Sequence, residues 1–173
     1  MDHDIRDTGF IPVSSCRFVS RTEYNSLAAR ILEVIVNPAL TLRDATVQDI
    51  RLELIRRTRF NSFKGEVICA LLAKYRDHWQ AVVFDNSGVP NYRNPGQLPI
   101  GGLIKLRDLQ DNIWNVDGLY VLTHTPEQAR VLAEAFEESG TGAMPIVYDN
   151  QEEIDMALGI MRQTCGLLKV WWD

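Results

Sequence analysis

The stretch VDGLYVLTHTPEQARVLAEAF, residues 116–136, decides the class of fold. Leu119–Leu122 is apolar without interruption, the pattern of a strand buried on both faces. Thr125-Pro-Glu-Gln128 then has the chemistry of a helix start. The Thr hydroxyl can accept from an early helical N–H. Pro126 sits where a missing N–H costs nothing, and Glu127 meets the positive helix end. Ala129, Leu132, Ala133 and Phe136 follow at helical spacing. A strand thus passes into a helix with almost no link.

The same alternation continues to the end of the chain. Ser139-Gly-Thr-Gly142 ends the helix, with Gly140 or Gly142 free to take a left-handed cap. Met144–Tyr148 reads as the next strand and Glu152–Arg162 as the next helix. Leu167–Trp172 reads as the last strand. The spacing predicts a β-α-β-α-β unit with short links, the order that parallel crossovers use. Adjacent strand residues face opposite ways. One of Trp171 and Trp172 is therefore expected in the core, and the other on the opposite sheet face or at a protein contact.

Upstream the character differs. Short β-prone pieces at Phe10–Val13 and Arg17–Val19 precede Ser20-Arg-Thr-Glu23, which has capping-box spacing. Leu27, Ile31, Val34 and Ile35 give a helix that Asn37-Pro38 stops. A second helix begins near Asp44–Thr46, with Val47, Ile50, Leu54 and Ile55 as its apolar stripe. A third covers about Phe63–Arg76, with Val67, Ile68, Leu71 and Leu72 inward. Trp79–Phe84 is β-branched and aromatic, the signature of a strand. The loop 85–102 is rich in Asn, Gly, Pro and Ser. Leu103–Leu106 reads as a returning strand, and 107–115 fits either a helical turn or a strand edge. The expected architecture is α+β or α/β. A mainly helical portion, residues 1–78, packs on a mixed sheet built by residues 79–173, within one compact domain.

Composition bounds the function. With 173 residues and 46% apolar content, the chain can bury a sizeable core. No apolar run approaches the roughly 18 residues of a membrane span. The start MDHDIRDTGF lacks the basic and apolar blocks of a signal peptide. Cys16, Cys69 and Cys165 form no Cys-x-x-Cys pair, which suits buried thiols in a reducing compartment. A cytoplasmic protein is expected, with no membrane partner. The net charge of −5 divides unevenly: residues 1–78 carry 12 Lys/Arg against 10 Asp/Glu, and residues 79–173 carry 6 against 13. The portions stand at +2 and −7, so opposite faces can attract different partners, or one copy another.

Four candidate sites emerge. The first is His124, at the mouth of the strand-to-helix junction; capping chemistry explains residues 125–128 and leaves His124 unexplained. Glu127 in the first turn repels a phosphate there. The second is the loop cluster Asn91, Tyr92, Arg93 and Asn94, where an aromatic ring, a guanidinium and amides suit a partner contact. Third is the basic set Arg51, Arg56, Arg57, Arg59 and Lys64, which also suits a helix carboxyl end. Fourth is an acidic surface built from Glu134, Glu137, Glu138, Glu152, Glu153 and Asp155.

The Gly-x-Ser-x-Gly elbow, His-Glu-x-x-His, the phosphate loop and the dinucleotide fingerprint are all missing. The three histidines lie far apart in sequence, so neither metal nor cofactor is expected. The reading is a small binding or regulatory protein acting by protein–protein contact, as an inhibitor, immunity protein or bacterial or phage accessory factor. Its contact residues are expected at Asn91–Asn94 and at Glu134 and Glu138. The alternative is an enzyme on a nucleotide or phosphodiester, with His124 as acid or base, Asp85 or Asp117 orienting it, and Arg93 gripping an anion. Nucleic-acid binding through Arg56, Arg57, Arg59 and Lys64 is disfavoured by the acidic balance and the lack of interleaved aromatics.

Overall fold

The structure, a computed structural model, describes residues 41–85, 102–159 and 164–173. The first expected helix, the two short strands before it and the cluster Asn91–Asn94 lie outside these residues.

Helix α1, Val47–Arg57, starts in a complete capping box. The Thr46 hydroxyl accepts from the Asp49 N–H, and the Asp49 carboxylate accepts from the Thr46 N–H. Its inward residues are Leu52 and Ile55, while Val47 and Ile50, expected inside, face solvent. Gln48 explains the rotation. Its side-chain amide pairs with both backbone groups of Val82, accepting from N–H at 3.0 Å and donating to C=O at 3.4 Å.

A tight corner follows, built from β1 (Arg59–Phe60), β2 (Phe63–Lys64) and helix α2 (Gly65–Lys74). The first two residues of the expected third helix are thus taken by β2. Asn61 turns the hairpin at φ 52°. Gly65 allows the close return: a Cβ there would stand 1.8 Å from the Ile55 carbonyl oxygen.

The main sheet contains β3 (Trp79–Phe84), β4 (Gly118–Thr123), β5 (Ala143–Tyr148) and β6 (Gly166–Trp172), in the order β3-β4-β6-β5. Helix α3 is Pro126–Glu138 and helix α4 is Gln151–Leu158. The expected element order along 119–172 is observed, and the fold is α+β. The sheet, expected to be mixed with parallel neighbours, is antiparallel at each described pairing. Helix α3, 13 residues and about 20 Å long, retraces the sheet, so β5 runs parallel to β4. Helix α4 has eight residues, about 12 Å, and makes only a local excursion. The chain leaves the sheet at Tyr148 and re-enters at Gly166, one residue before Leu167, which pairs with Tyr148. Strand β6 therefore slots between β4 and β5, antiparallel to both.

The expected returning strand at Leu103–Leu106 is a 3-10 turn, Gly102–Leu106. Asn115 stabilises it, donating to the Ile104 carbonyl and the Asp108 carboxylate at 3.1 and 2.8 Å. One side of β3 is already paired with β4, and Gln48 occupies Val82 on the other. The ambiguous 107–115 segment holds a second 3-10 turn, Leu109–Asp111.

Helices α1, α2 and α3 cover one face of the sheet and form the core with it. At its centre, fully buried Trp172 meets Phe63 at 4.7 Å and Phe136 at 5.8 Å between ring centroids. Its indole N–H donates to Thr141 at 3.1 Å. Removing such a ring leaves a cavity and takes from Thr141 one of its two hydrogen-bond partners, the other being the Ser139 hydroxyl at 2.7 Å. Trp172→Ala is expected to cost about 3–5 kcal/mol in urea denaturation, and deletion of the last four residues more. A melting temperature unchanged in both would contradict this packing.

Cys69 is buried and its Sγ–H points to the Leu52 carbonyl at 3.4 Å. Burial pushes the thiol up to about 12, so almost no thiolate forms near neutral pH. Iodoacetamide is expected to spare Cys69 at pH 8 in the native chain and to label it in urea, read by peptide mass spectrometry. Native labelling at the rate of a free thiol would contradict the burial.

Candidate functional site

Strand alternation divides the sheet residues into two sets. Leu119, Val121, Leu168, Val170 and Trp172 face the helical core and are buried. Tyr120, Leu122, Leu167, Lys169 and Trp171 face the other way, with Ala81 and Val83 on β3 and Met144, Ile146 and Tyr148 on β5. This outer face is only partly covered. Tyr120 and Leu122 are half-buried, where full burial of Leu119–Leu122 on both sides was expected. The difference follows from α4, which covers one end of the face alone.

Two zones make up the outer face. Beneath α4 lies a cleft of about 560 Å³, walled by Val83, Tyr120, Leu122, Tyr148, Leu158 and Leu167, with Glu153 also at its lining. Beyond it the face is open. Met144 and Ile146 are 40% and 52% exposed, and Trp171, the cross-strand partner of Met144, is 40% exposed. The two terminal tryptophans thus divide as expected, one in the core and one on the opposite face.

A polar cluster holds the edge of this open zone. Lys169 Nζ lies 2.8 Å from Asp85 Oδ2 and 5.5 Å from the centre of the Tyr120 ring. The Asp85 contact raises the Lys169 ammonium above its ordinary value. Burial, the Asp85 charge and a hydrogen bond to Tyr148 hold the Tyr120 phenol above its own. Asp117 adjoins the cluster. Asn61 Nδ2 donates to it at 3.1 Å, and the Trp171 indole also donates to it. Burial nevertheless raises its carboxyl, and the nearby Asp85 charge adds to the effect.

The three groups of the enzyme alternative separate. Asp85 and Asp117 share one end of the β3–β4 pair. His124 stands beyond the other end of β4, about six strand residues or 20 Å away. Among the described residues it is exposed and makes no hydrogen bond or ion pair. Thr125 caps α3 by accepting from the Gln128 N–H at 3.3 Å. The Glu127 carboxylate is held below its ordinary value by backbone and Thr125 hydrogen bonds at the same helix end. An anion would meet that carboxylate first. Among the described residues, no group of three His, Cys, Asp or Glu side chains converges as metal ligands.

The basic set is only partly paired within the chain: two carboxylates, Glu53 and Glu66, serve three of its five cations. Arg56 and Arg57 both bond Glu53, at 2.6 and 2.5 Å, and Arg59 lies 3.6 Å from Glu66. Lys64 and Arg51 show no ion pair among the described residues. Glu134 and Glu138 are exposed on α3, on the helical side of the sheet and away from the open face. Of the terminal tryptophans, one was expected on this face or at a protein contact; Met144 and Ile146 were not singled out from sequence. Their signal was present: AMPIVY is apolar in both strand phases, which a single covered face does not require. Among the described residues no helix is long and apolar enough to cross a membrane. Comparison with protein-family models, curated proteins and solved structures found no match.

The raised Asp117 carboxyl has a pH consequence. A group that binds its proton more tightly when folded stabilises the fold at low pH, and that contribution is lost as pH rises through the folded value. Asp117→Asn, which mimics the protonated form, is expected to be at least as stable as the parent at pH 7. Its advantage is expected to shrink as pH falls through the carboxylate range. Denaturant titrations at pH 7 and pH 4 check this; a variant less stable at pH 7 but equal at pH 4 would contradict it.

Proposed function

We propose that the chain is a protein-binding module whose contact surface is the open half of the outer sheet face. The observation that carries this reading is the contiguous trio Met144, Ile146 and Trp171, left to solvent on a sheet whose other face packs against three helices. Trp and Met suit contact surfaces. The indole offers a large flat area, with its N–H already held by Asp117, and the thioether adapts to irregular shapes. The Lys169–Asp85 pair and Tyr120 supply a polar rim beside the apolar trio, the usual anatomy of an interface.

A regulatory role by occupation of another protein, as an inhibitor, immunity protein or accessory factor performs, needs this kind of surface and no reactive centre. The separation of His124 from Asp85 and Asp117 supports that reading over acid–base chemistry by those three groups. The Glu53 and Glu66 carboxylates set among Arg56, Arg57 and Arg59 weigh against a nucleic acid as the partner.

The test is quantitative affinity capture from the native host with the parent chain and three variants. Ile146→Lys and Trp171→Ser are expected to lose at least about tenfold of one captured protein, given what central interface residues contribute. His124→Ala is expected to retain it. His124→Ala and Ile146→Lys are expected to keep the parent melting temperature within a few degrees, because those side chains are exposed; Trp171→Ser, which also gives up the indole bond to Asp117, is expected to lower it while leaving a cooperative unfolding transition. An identical captured set for the parent and both face variants would overturn the reading.

A further inference from the structure

The outer layer of this sheet is incomplete. Three helices cover the inner face, while among the described residues the outer face has only the eight-residue α4 over one end. A sheet face with apolar side chains is stabilised by a second packed layer. The uncovered row is continuous: Met144, Ile146 and Tyr148 point outward along about 13 Å of β5, and Tyr148 is also a wall of the cleft. The open trio and the cleft are therefore one surface.

Both sheet edges oppose extension by an added strand. On β5, Pro145 lacks an N–H and removes one donor. On β3, the Gln48 amide already occupies Val82. A helix laid across the face needs neither edge. The charge around it is acidic: Glu153 lines the cleft, and Asp149 and Glu152 stand exposed at the head of α4. Lys169 is already matched by Asp85. A second copy packed through the same face about a two-fold axis would bring these carboxylates near their own equivalents.

Resting on the protein-binding reading, we infer that the partner contributes an amphipathic helix of about three turns. Its apolar side covers Met144, Ile146 and Trp171. One of its aliphatic or aromatic side chains enters the cleft beneath α4, and a Lys or Arg on its flank meets Glu153. The helix spans about 16 Å in three turns, matching the open row and the cleft mouth.

Two synthetic helical peptides of about 14 residues test this, one of Leu and Lys and one of Leu and Glu in the same amphipathic order. Each is titrated calorimetrically against the full chain. The Leu/Lys peptide is expected to bind at least tenfold tighter than the Leu/Glu peptide. Trp171→Ser, which removes apolar surface without adding charge, is expected to weaken it severalfold. So is Ala157→Phe, which fills the cleft from α4. Glu153→Gln is expected to narrow the preference between the peptides, while the double change Glu134→Gln and Glu138→Gln on α3 leaves it intact. Equal binding of both peptides, indifference to Ala157→Phe, or an α3 effect as large as that of Glu153→Gln would overturn the inference. A dimer of the chain that Ile146→Lys breaks would assign the face to a second copy and overturn it too. If affinity capture still depends on Ile146 while neither peptide binds, the helix falls and the protein-binding reading stands. If capture ignores Ile146, the reading itself falls.

Discussion

Strand β6 arrives last in the chain and takes a central place in the sheet, and both the core and the open surface follow from that insertion. Its register is set by β4 on one side and β5 on the other. One phase of its side chains, Leu168, Val170 and Trp172, closes the core. Trp172 joins three parts of the chain that are distant in sequence: the β1–β2 hairpin through Phe63, α3 through Phe136 and the turn before β5 through Thr141. The other phase, Leu167, Lys169 and Trp171, necessarily points to the opposite side. A strand that must fill the core at every second position leaves the alternate positions available for another purpose. Here they are an aliphatic cleft wall, an ion-paired lysine and an exposed tryptophan.

The asymmetry of the two faces has a simple geometric origin. A helix that connects two strands covers a sheet only as far as it runs along them. Helix α3 matches the strand length, and α4 does not. The cleft under α4 and the bare row beyond it are both consequences of that short helix. Pro145 and Gln48 act at the two edges, where an open antiparallel sheet would otherwise recruit further strands. The chain thus limits edge pairing while leaving a face open, the arrangement expected where face contact is used and strand addition is not.

Much of the fold was legible from local chemistry. The helix from Pro126 to Glu138 and the strand from Trp79 to Phe84 have the expected bounds, because proline, threonine caps and β-branched runs act within a few residues. Strand order was not legible. Alternation of strands and helices suggested parallel neighbours, and only the length of α4 and the pairing of Tyr148 with Leu167 separate the two outcomes. The rotation of α1 was also hidden, since Val47 and Ile50 fit an inward stripe until Gln48 is known to hold the β3 edge. For the candidate site, Asp85 and Asp117 were legible as strand-end carboxylates, and their neighbour Lys169 was not. The pairing that joins Asp85 to Lys169 spans 84 residues and leaves no local trace.

The central claim is that the open half of the outer face is covered by another protein in the native setting. Hydroxyl-radical footprinting of the chain alone and of its complex captured from the host tests this most directly. The account predicts that Met144 and Trp171 oxidise readily in the free chain and become protected in the complex, while exposed Leu42 keeps its reactivity. Equal oxidation of Met144 and Trp171 in both states, with protection appearing elsewhere on the chain, would contradict it.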